Sequence, residues 1–151
     1  MRVIDRGAAK LLVAARALTG RKRVRVGVLA DAPKEGAEDS GLSLLEVAAV
    51  HEFGAPEAGI PQRSFIRATV DARAGDIEKV QKAVAARALS GAITPDQALD
   101  QIGAKVASFM QATINNGIAP ALAEETVERK GSSKPLVDTG QLKSSITWQV
   151  E

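Results

Sequence analysis

The chain has 151 residues and a mass of 15.8 kDa, enough for one domain with a single hydrophobic core. Apolar residues make up 45% of it but aromatic residues only 3%, so Ala, Val, Leu and Ile must fill the core, and alanine-rich stretches favour helix. The absence of cysteine and the single histidine, His51, exclude a disulfide scaffold, a thiolate nucleophile and a Cys/His zinc site. This composition disfavours an enzyme.

The net charge of +2 conceals two blocks of opposite sign. Residues 1–29 hold eight basic residues against Asp5, a net charge of +7, whereas residues 30–60 hold seven acidic residues against Lys34, a net charge of −6. Such blocks can direct head-to-tail assembly of identical copies. Alternatively, they neutralise each other within one chain, and both interpretations are open at this point.

The N-terminal residues show no targeting pattern. Residues 1–20 mix charges into their apolar positions, so we expect no signal peptide. No apolar run approaches the roughly 18 residues that a membrane span requires. We therefore expect a soluble protein made in the cytoplasm, with no membrane partner.

The first predicted elements are a helix and a strand. Residues 3–19 place apolar side chains at a helical spacing that ends at Gly20, which predicts an amphipathic helix. Residues 23–29 alternate valine with arginine, which predicts a half-buried strand. Residues 30–42 are rich in Gly, Asp, Glu and Ala and are expected to form a long acidic loop.

Two further helical segments are predicted after that loop. Ser43 and Glu46 form a capping-box pattern that begins a helix, and Gly54 ends it. After a turn-rich link, residues 62–90 predict one long helix or a pair of helices broken near Gly75.

The clearest helix signal follows, and the chain closes with a strand. Residues 94–97 combine a threonine N-cap, a proline at the first position and a glutamine that completes a capping box. This helix is expected to end at Gly117, and residues 117–135 are loop-like. Residues 146–150 alternate apolar and polar side chains, which predicts a final strand that can pair with residues 23–29.

Two groups of residues could carry chemistry or ligand binding. His51 and Glu52 could act as an acid–base pair in a hydrolase, but the sequence shows no partner that would tune them and no second histidine for zinc. A structural role at the end of a helix is therefore favoured. The alternative function is nucleic-acid binding, for which clustered positive charge is needed but stacking aromatics are absent nearby. The basic residues concerned are Arg21, Lys22, Arg23 and Arg25.

Two further segments form a pair of signatures. The first joins residues 51–54 (HEFG) to residues 60–67 (IPQRSFIR), a helix end with a glycine exit followed by a new helix start. The second covers residues 130–146 (KGSSKPLVDTGQLKSSI), in which a tight turn leads into a short helix and the last strand. Each segment alone is explained by local turns.

Together, in this order and about 70 residues apart, the signatures resemble the tail-completion and neck proteins of tailed bacteriophages, closest to the virion-morphogenesis family of Mu-like and P2-like phages. The resemblance covers residues 43–73 and 126–150. It implies a small α+β subunit over residues 1–151, with several helices packed on a small antiparallel sheet and long loops or arms at 30–42 and 117–135.

The resemblance also implies a function. Such a subunit has no catalytic activity and no cofactor or metal, and it forms a homo-oligomeric ring at the head–tail junction of the virion. The expected ring is a hexamer, with twelve subunits as the alternative, and the tail-terminator, neck and head-closure roles all fit. Its partners would be further copies of itself, the head connector or stopper protein and the tail-tube protein, with DNA only as passing cargo.

By carry-over, the signature positions would form turns or subunit contacts. They are His51, Glu52, Phe53, Gly54, Pro61, Arg63, Phe65, Arg67, Pro135, Leu136, Asp138, Thr139, Gly140 and Leu142. A separate hypothesis rests on the acidic block alone: a loop that faces the ring lumen would repel passing DNA. Its residues are Asp31, Glu35, Glu38 and Asp39.

Overall fold

The fold consists of four helices and a two-stranded sheet, within the part of the chain that the structure describes. The computed structural model describes Leu12 and residues 22–29, 41–121 and 140–151. The elements in chain order are β1 (Val24–Val28), α1 (Leu44–Phe53), α2 (Phe65–Leu89), α3 (Pro95–Asn116), α4 (Gln141–Ser144) and β2 (Ile146–Val150). Helices packed on a small antiparallel sheet confirm the expected α+β fold.

Several predicted segments fall mostly outside the described residues. The helix predicted over 3–19 is represented by Leu12, which is helical. The acidic loop is represented only by its last two residues, and the loop predicted over 117–135 only by residues 117–121, which contain no helix or strand.

The sheet joins the two ends of the described chain. β1 pairs antiparallel with β2, with Val24 opposite Val150 and Val28 opposite Ile146. The ladder extends one pair further, where Arg23 and Glu151 exchange two backbone hydrogen bonds of 2.7 and 2.9 Å. The predicted pairing of the two strands is confirmed.

Both predicted capping boxes are present. At the start of α1, the Ser43 hydroxyl accepts from the Glu46 N–H, and the Glu46 carboxylate accepts from the Ser43 N–H. Thr94 and Gln97 make the same reciprocal pair at the start of α3. Because each box satisfies backbone donors that a helix start leaves unpaired, local sequence is enough to place these two helix starts.

Helix α2 decides between the two alternatives predicted for residues 62–90. It is one continuous helix, as the first alternative predicted, and it does not break at Gly75. Its start at Phe65 is three residues later than expected. A glycine inside a helix costs only about 1 kcal/mol relative to alanine. Ion pairs within α2 flank this position, since Asp76 binds both Arg73 and Lys79, and packing against α3 supports the whole helix.

The main core lies where α3 crosses the other elements. Helix α3 contacts α2 along one side and both strands along the other, and it supplies four of the eight residues in this cluster. The cluster consists of Ala48, Phe65, Val106, Ala107, Met110, Ile114, Leu142 and Ile146. A smaller hydrophobic cluster packs α2 against α3 near the turn that joins them, and it contains Val84, Ala88 and Ala98.

Gly103 lets the sheet lie directly against the backbone of α3. A Cβ atom at this position would stand 2.6 Å from Cδ1 of Trp148 and 2.7 Å from Cγ2 of Val24. We expect Gly103→Ala to lower the free energy of unfolding by about 2 kcal/mol, because the added methyl group would collide with the indole ring of Trp148. The ring cannot easily move away, since its Nε1 donates a 2.8 Å hydrogen bond to Asp100. Urea denaturation followed by tryptophan fluorescence measures this change.

Gly75 is the matched control for Gly103. It also lies inside a helix, but a Cβ there would meet no atom within 4 Å. Gly75→Ala should therefore raise stability by about 1 kcal/mol through helix propensity alone. Changes of the same sign in the two variants would contradict the close approach of the sheet to α3.

Candidate functional site

The first signature folds into a compact connection between α1 and α2, here called the α1–α2 junction (residues 51–67). The chain leaves α1 at Gly54 and makes a 3₁₀ turn over Pro56–Ala58. It then returns through an isolated bridge in which Ala55 and Ile60 exchange backbone hydrogen bonds of 2.9 and 3.0 Å. The junction thus brings the end of α1 against the start of α2.

Glu52 is the central side chain of the junction. It is buried, with 6% of its surface exposed, and its carboxylate faces the first turn of α2. The carboxylate accepts hydrogen bonds from the Ser64 hydroxyl at 2.5 Å, the Ile66 N–H at 2.8 Å and the Arg67 N–H at 3.1 Å. A side chain from α1 therefore caps α2, and its negative charge lies at the positive end of that helix.

Backbone contacts tie the same two chain segments together. The Arg63 N–H donates to the His51 carbonyl at 2.7 Å, and Nε2 of Gln62 donates to the Glu52 carbonyl at 2.9 Å. Gly54, with φ of 78°, allows this approach, since a Cβ there would stand 2.9 Å from the Gln62 nitrogen. The favoured interpretation of His51 and Glu52 as structural residues at a helix end agrees with these contacts.

Arg63 connects the junction to the segment that follows α3. Its side chain is buried, and its guanidinium donates from Nε to the Pro120 carbonyl at 2.9 Å and from an Nη to the Ala121 carbonyl at 3.1 Å. Burial lowers the pKa of this guanidinium from its ordinary value, although the group stays charged at any physiological pH. The two bonds of Arg63 thus attach the start of α2 to the segment that follows α3 and leads to the second signature.

The described part of the second signature packs on the first. Gly140 adopts a left-handed conformation and begins α4, on which Leu142 is buried. Leu142 lies in the same core cluster as Ala48 of α1 and Phe65 of α2. Two segments far apart in the sequence therefore meet in one core. The remaining members of the second signature lie outside the described residues: Pro135, Leu136, Asp138 and Thr139.

The signature residues divide into two groups by exposure. Glu52, Arg63, Phe65 and Leu142 are buried within the subunit, so they hold the fold and leave little side-chain surface for a neighbouring subunit. Three others are exposed on the surface of the same region, namely Phe53, Pro61 and Arg67. Any contact with a partner through the described part of the first signature must use mainly this second group.

A row of exposed apolar residues runs along the outer face of α1. We call it the α1 stripe. Its three helical members are spaced four residues apart and therefore lie on one side of the helix, and Leu42 precedes the helix by two residues. Only Phe53 was among the sequence-predicted site residues, because the sequence does not show which apolar residues of α1 are buried. The stripe consists of Leu42, Leu45, Ala49 and Phe53.

The described basic residues near β1 are paired with carboxylates of the same chain. Lys22 binds Asp96 at 2.6 Å, while Arg23 and Arg25 bind Glu151 at 3.1 and 2.7 Å. Arg21 lies outside the described residues, as do all four acidic-loop residues proposed to face a lumen: Asp31, Glu35, Glu38 and Asp39. The described basic residues are thus partly neutralised by acids that lie beyond the acidic block.

Three comparisons with known proteins found no relative from which the role of the α1–α2 junction could be inferred. Neither the protein-family models, nor the curated proteins, nor the solved structures contain a match to this chain. Within the described residues, no group of three or more His, Cys, Asp or Glu side chains is placed to hold a metal ion. None of the described helices is both long and apolar enough to cross a membrane.

Proposed function

We propose that this chain is a structural virion protein that forms a ring at the phage head–tail junction, where it completes the tail and joins it to the head connector. The proposal rests first on the resemblance of the two signatures to tail-completion and neck proteins. In this role the chain is not an enzyme, and it works by binding copies of itself and the proteins on either side of the ring.

The observation that carries the proposal is the convergence of both signatures on one core. Phe65 of the first signature and Leu142 of the second belong to one core cluster, although the whole α2–α3 hairpin separates them in the sequence. Two charged side chains of the first signature make internal contacts, because the Glu52 carboxylate and the Arg63 guanidinium each bind groups of the same chain. A junction held by these internal contacts supports the proposal that the chain is a rigid structural subunit.

The nucleic-acid alternative gains no comparable support. Lys22, Arg23 and Arg25 each lie within 3.1 Å of a carboxylate of the same chain. Exposed ion pairs of this kind are weak, so phosphates could compete for these side chains. No observation on the described residues favours that competition over the pairing seen.

Purified particles provide the test of this function. Antibody against the chain, applied to particles from the strain that encodes it, should label one site between head and tail in negative-stain images. Deletion of the gene should leave filled heads and unjoined tails, and the intact gene supplied in trans should restore joined particles. A chain that is absent from purified particles, with joined particles still formed after its deletion, would refute the proposal.

A further inference from the structure

The α1 stripe and one residue of the N-terminal segment are exposed among the described residues. On the α1 stripe, 67% of Phe53, 45% of Leu45 and 38% of Leu42 are open to solvent. Leu12, the described residue of the predicted N-terminal helix, is 59% exposed. Single exposed leucines are ordinary, but two large apolar side chains on one helix face, with a third just before the helix, typify an interaction surface.

The N-terminal segment is predicted from its sequence to carry a matching apolar face. Its predicted helix over residues 3–19 places apolar residues at helical spacing, and Leu12, in the middle of that face, is helical in the structure. A helix of 17 residues is about 25 Å long, which exceeds the roughly 12 Å along the helix axis from Leu45 to Phe53. A short amphipathic helix is marginally stable in water until its apolar face is covered.

Charge complementarity favours contact between these two surfaces. Residues 3–19 contain Arg6, Lys10 and Arg16 against one acidic residue, within the block of charge +7. The α1 stripe lies within the block of charge −6, and Glu46 is exposed beside Leu45. Hydrogen bonds from Ser43 lower the pKa of the Glu46 carboxyl, so its negative charge persists below the ordinary pH range of a glutamate.

We propose that the N-terminal segment, residues 3–19, of one copy docks on the α1 stripe of a second copy. The second copy is the occupant because Leu12 and Phe53 are both largely exposed among the described residues, so neither of these two side chains covers the other within one subunit. The two contacting surfaces differ, so each copy can bind one neighbour at each surface. A head-to-tail contact repeated between identical copies forms a closed ring when the rotation from each copy to the next divides a full turn evenly. The inference that this contact forms a ring rests on the proposed function.

Cysteine cross-linking tests which surfaces meet, because the natural chain contains no cysteine. Leu12→Cys and Phe53→Cys chains, mixed and oxidised, should form the mixed disulfide in preference to either symmetric dimer. Val70→Cys is the control for Phe53→Cys, since Val70 is 43% exposed but lies on α2, off the stripe. A predominance of the symmetric Phe53→Cys dimer, or equal cross-linking to Val70→Cys, would overturn the proposal.

The double variant separates docking between copies from docking within one chain. Leu12→Cys/Phe53→Cys chains should give a ladder of covalent oligomers on non-reducing gels. A single band of monomer mass with no free thiol would instead show that the segment covers the stripe of its own chain, which overturns the inference.

A charge placed on the stripe provides a second, independent measurement. Phe53→Glu should weaken self-association by about thirtyfold in sedimentation velocity, the loss expected for a central aromatic anchor. Val70→Glu should leave it unchanged, and circular dichroism should show both variants folded, because both positions are exposed. Equal self-association of the two variants would contradict docking at the stripe.

The outcomes distinguish this inference from the proposed function. A natural chain that remains monomeric at millimolar concentration but is found at the head–tail junction would refute the contact and leave the proposed function standing. A chain that cross-links as expected but is absent from particles would refute the proposed function and keep the contact.

Discussion

Glu52→Ala is expected to lower the free energy of unfolding by about 3 kcal/mol. The change removes the carboxylate that accepts hydrogen bonds from Ser64, Ile66 and Arg67. The partly buried hydroxyl and N–H donors at the start of α2 then lose their acceptor. It also leaves a space next to the first turn of α2. For a chain of this size the expected fall in melting temperature is about 6–12 °C, measured by differential scanning calorimetry.

Two variants show whether the loss comes from the cap. Glu57→Ala removes a carboxylate from the exposed 3₁₀ turn of the same junction and should change stability by less than about 0.5 kcal/mol. Glu52→Gln keeps the shape and one carbonyl acceptor, so its loss should fall between the two. If Glu52→Ala behaved like Glu57→Ala, the carboxylate would not be holding α2.

Gly54→Ala is expected to be as damaging, at about 3 kcal/mol. Its φ of 78° and ψ of 168° lie in a region that only glycine occupies readily. The added Cβ would also stand 2.9 Å from the Gln62 nitrogen, and this backbone cannot easily retreat because the adjacent Arg63 N–H is bonded to the His51 carbonyl. Guanidinium denaturation gives the stability change.

Gly59 separates backbone strain from collision. It also has a positive φ, 67°, but a Cβ there would meet nothing within 4 Å. Gly59→Ala should therefore cost only about 1 kcal/mol, the strain of a left-handed alanine. Should the two alanine variants lose equal stability, the close contact between Gly54 and Gln62 would be refuted.

Local signals made much of the fold predictable. The starts of α1 and α3 follow from reciprocal bonds between residues three apart, which a sequence displays directly. The two strands alternate over five residues each, and their valine faces need a common core, so their pairing could be predicted despite their separation in the chain.

Helix α2 shows why other boundaries were not predictable. Its N-cap, Ser64, makes no side-chain cap bond, and the acceptor that the helix start needs comes from Glu52 on another helix. A cap supplied from a distance leaves no pattern at the boundary itself, which explains why the predicted start was three residues early. Of the two alternatives predicted for this segment, the continuous helix is the one found, because packing and ion pairs outweigh the weak local preference of Gly75.

The candidate site was predicted only in part, for the same reason. The role of His51 and Glu52 at a helix end could be inferred from the glycine that follows them. The bonds from Arg63 to Pro120 and Ala121 join residues more than fifty positions apart, and no spacing rule encodes them. The α1 stripe could not be predicted, because the sequence of α1 does not show which of its apolar residues pack inside the subunit.

The pairing of β1 with β2 also determines when the subunit can finish folding. Arg23 and Glu151 are 128 residues apart, so a ribosome needs on the order of ten seconds after making β1 to supply its partner strand. The α2–α3 hairpin can form early from neighbouring segments, whereas α1 lacks Leu142 and Ile146 until those residues have been made. Nascent chains that stop before Leu142 therefore lack the packing that supports α1, and only chains that extend through β2 would hold the α1 stripe in place.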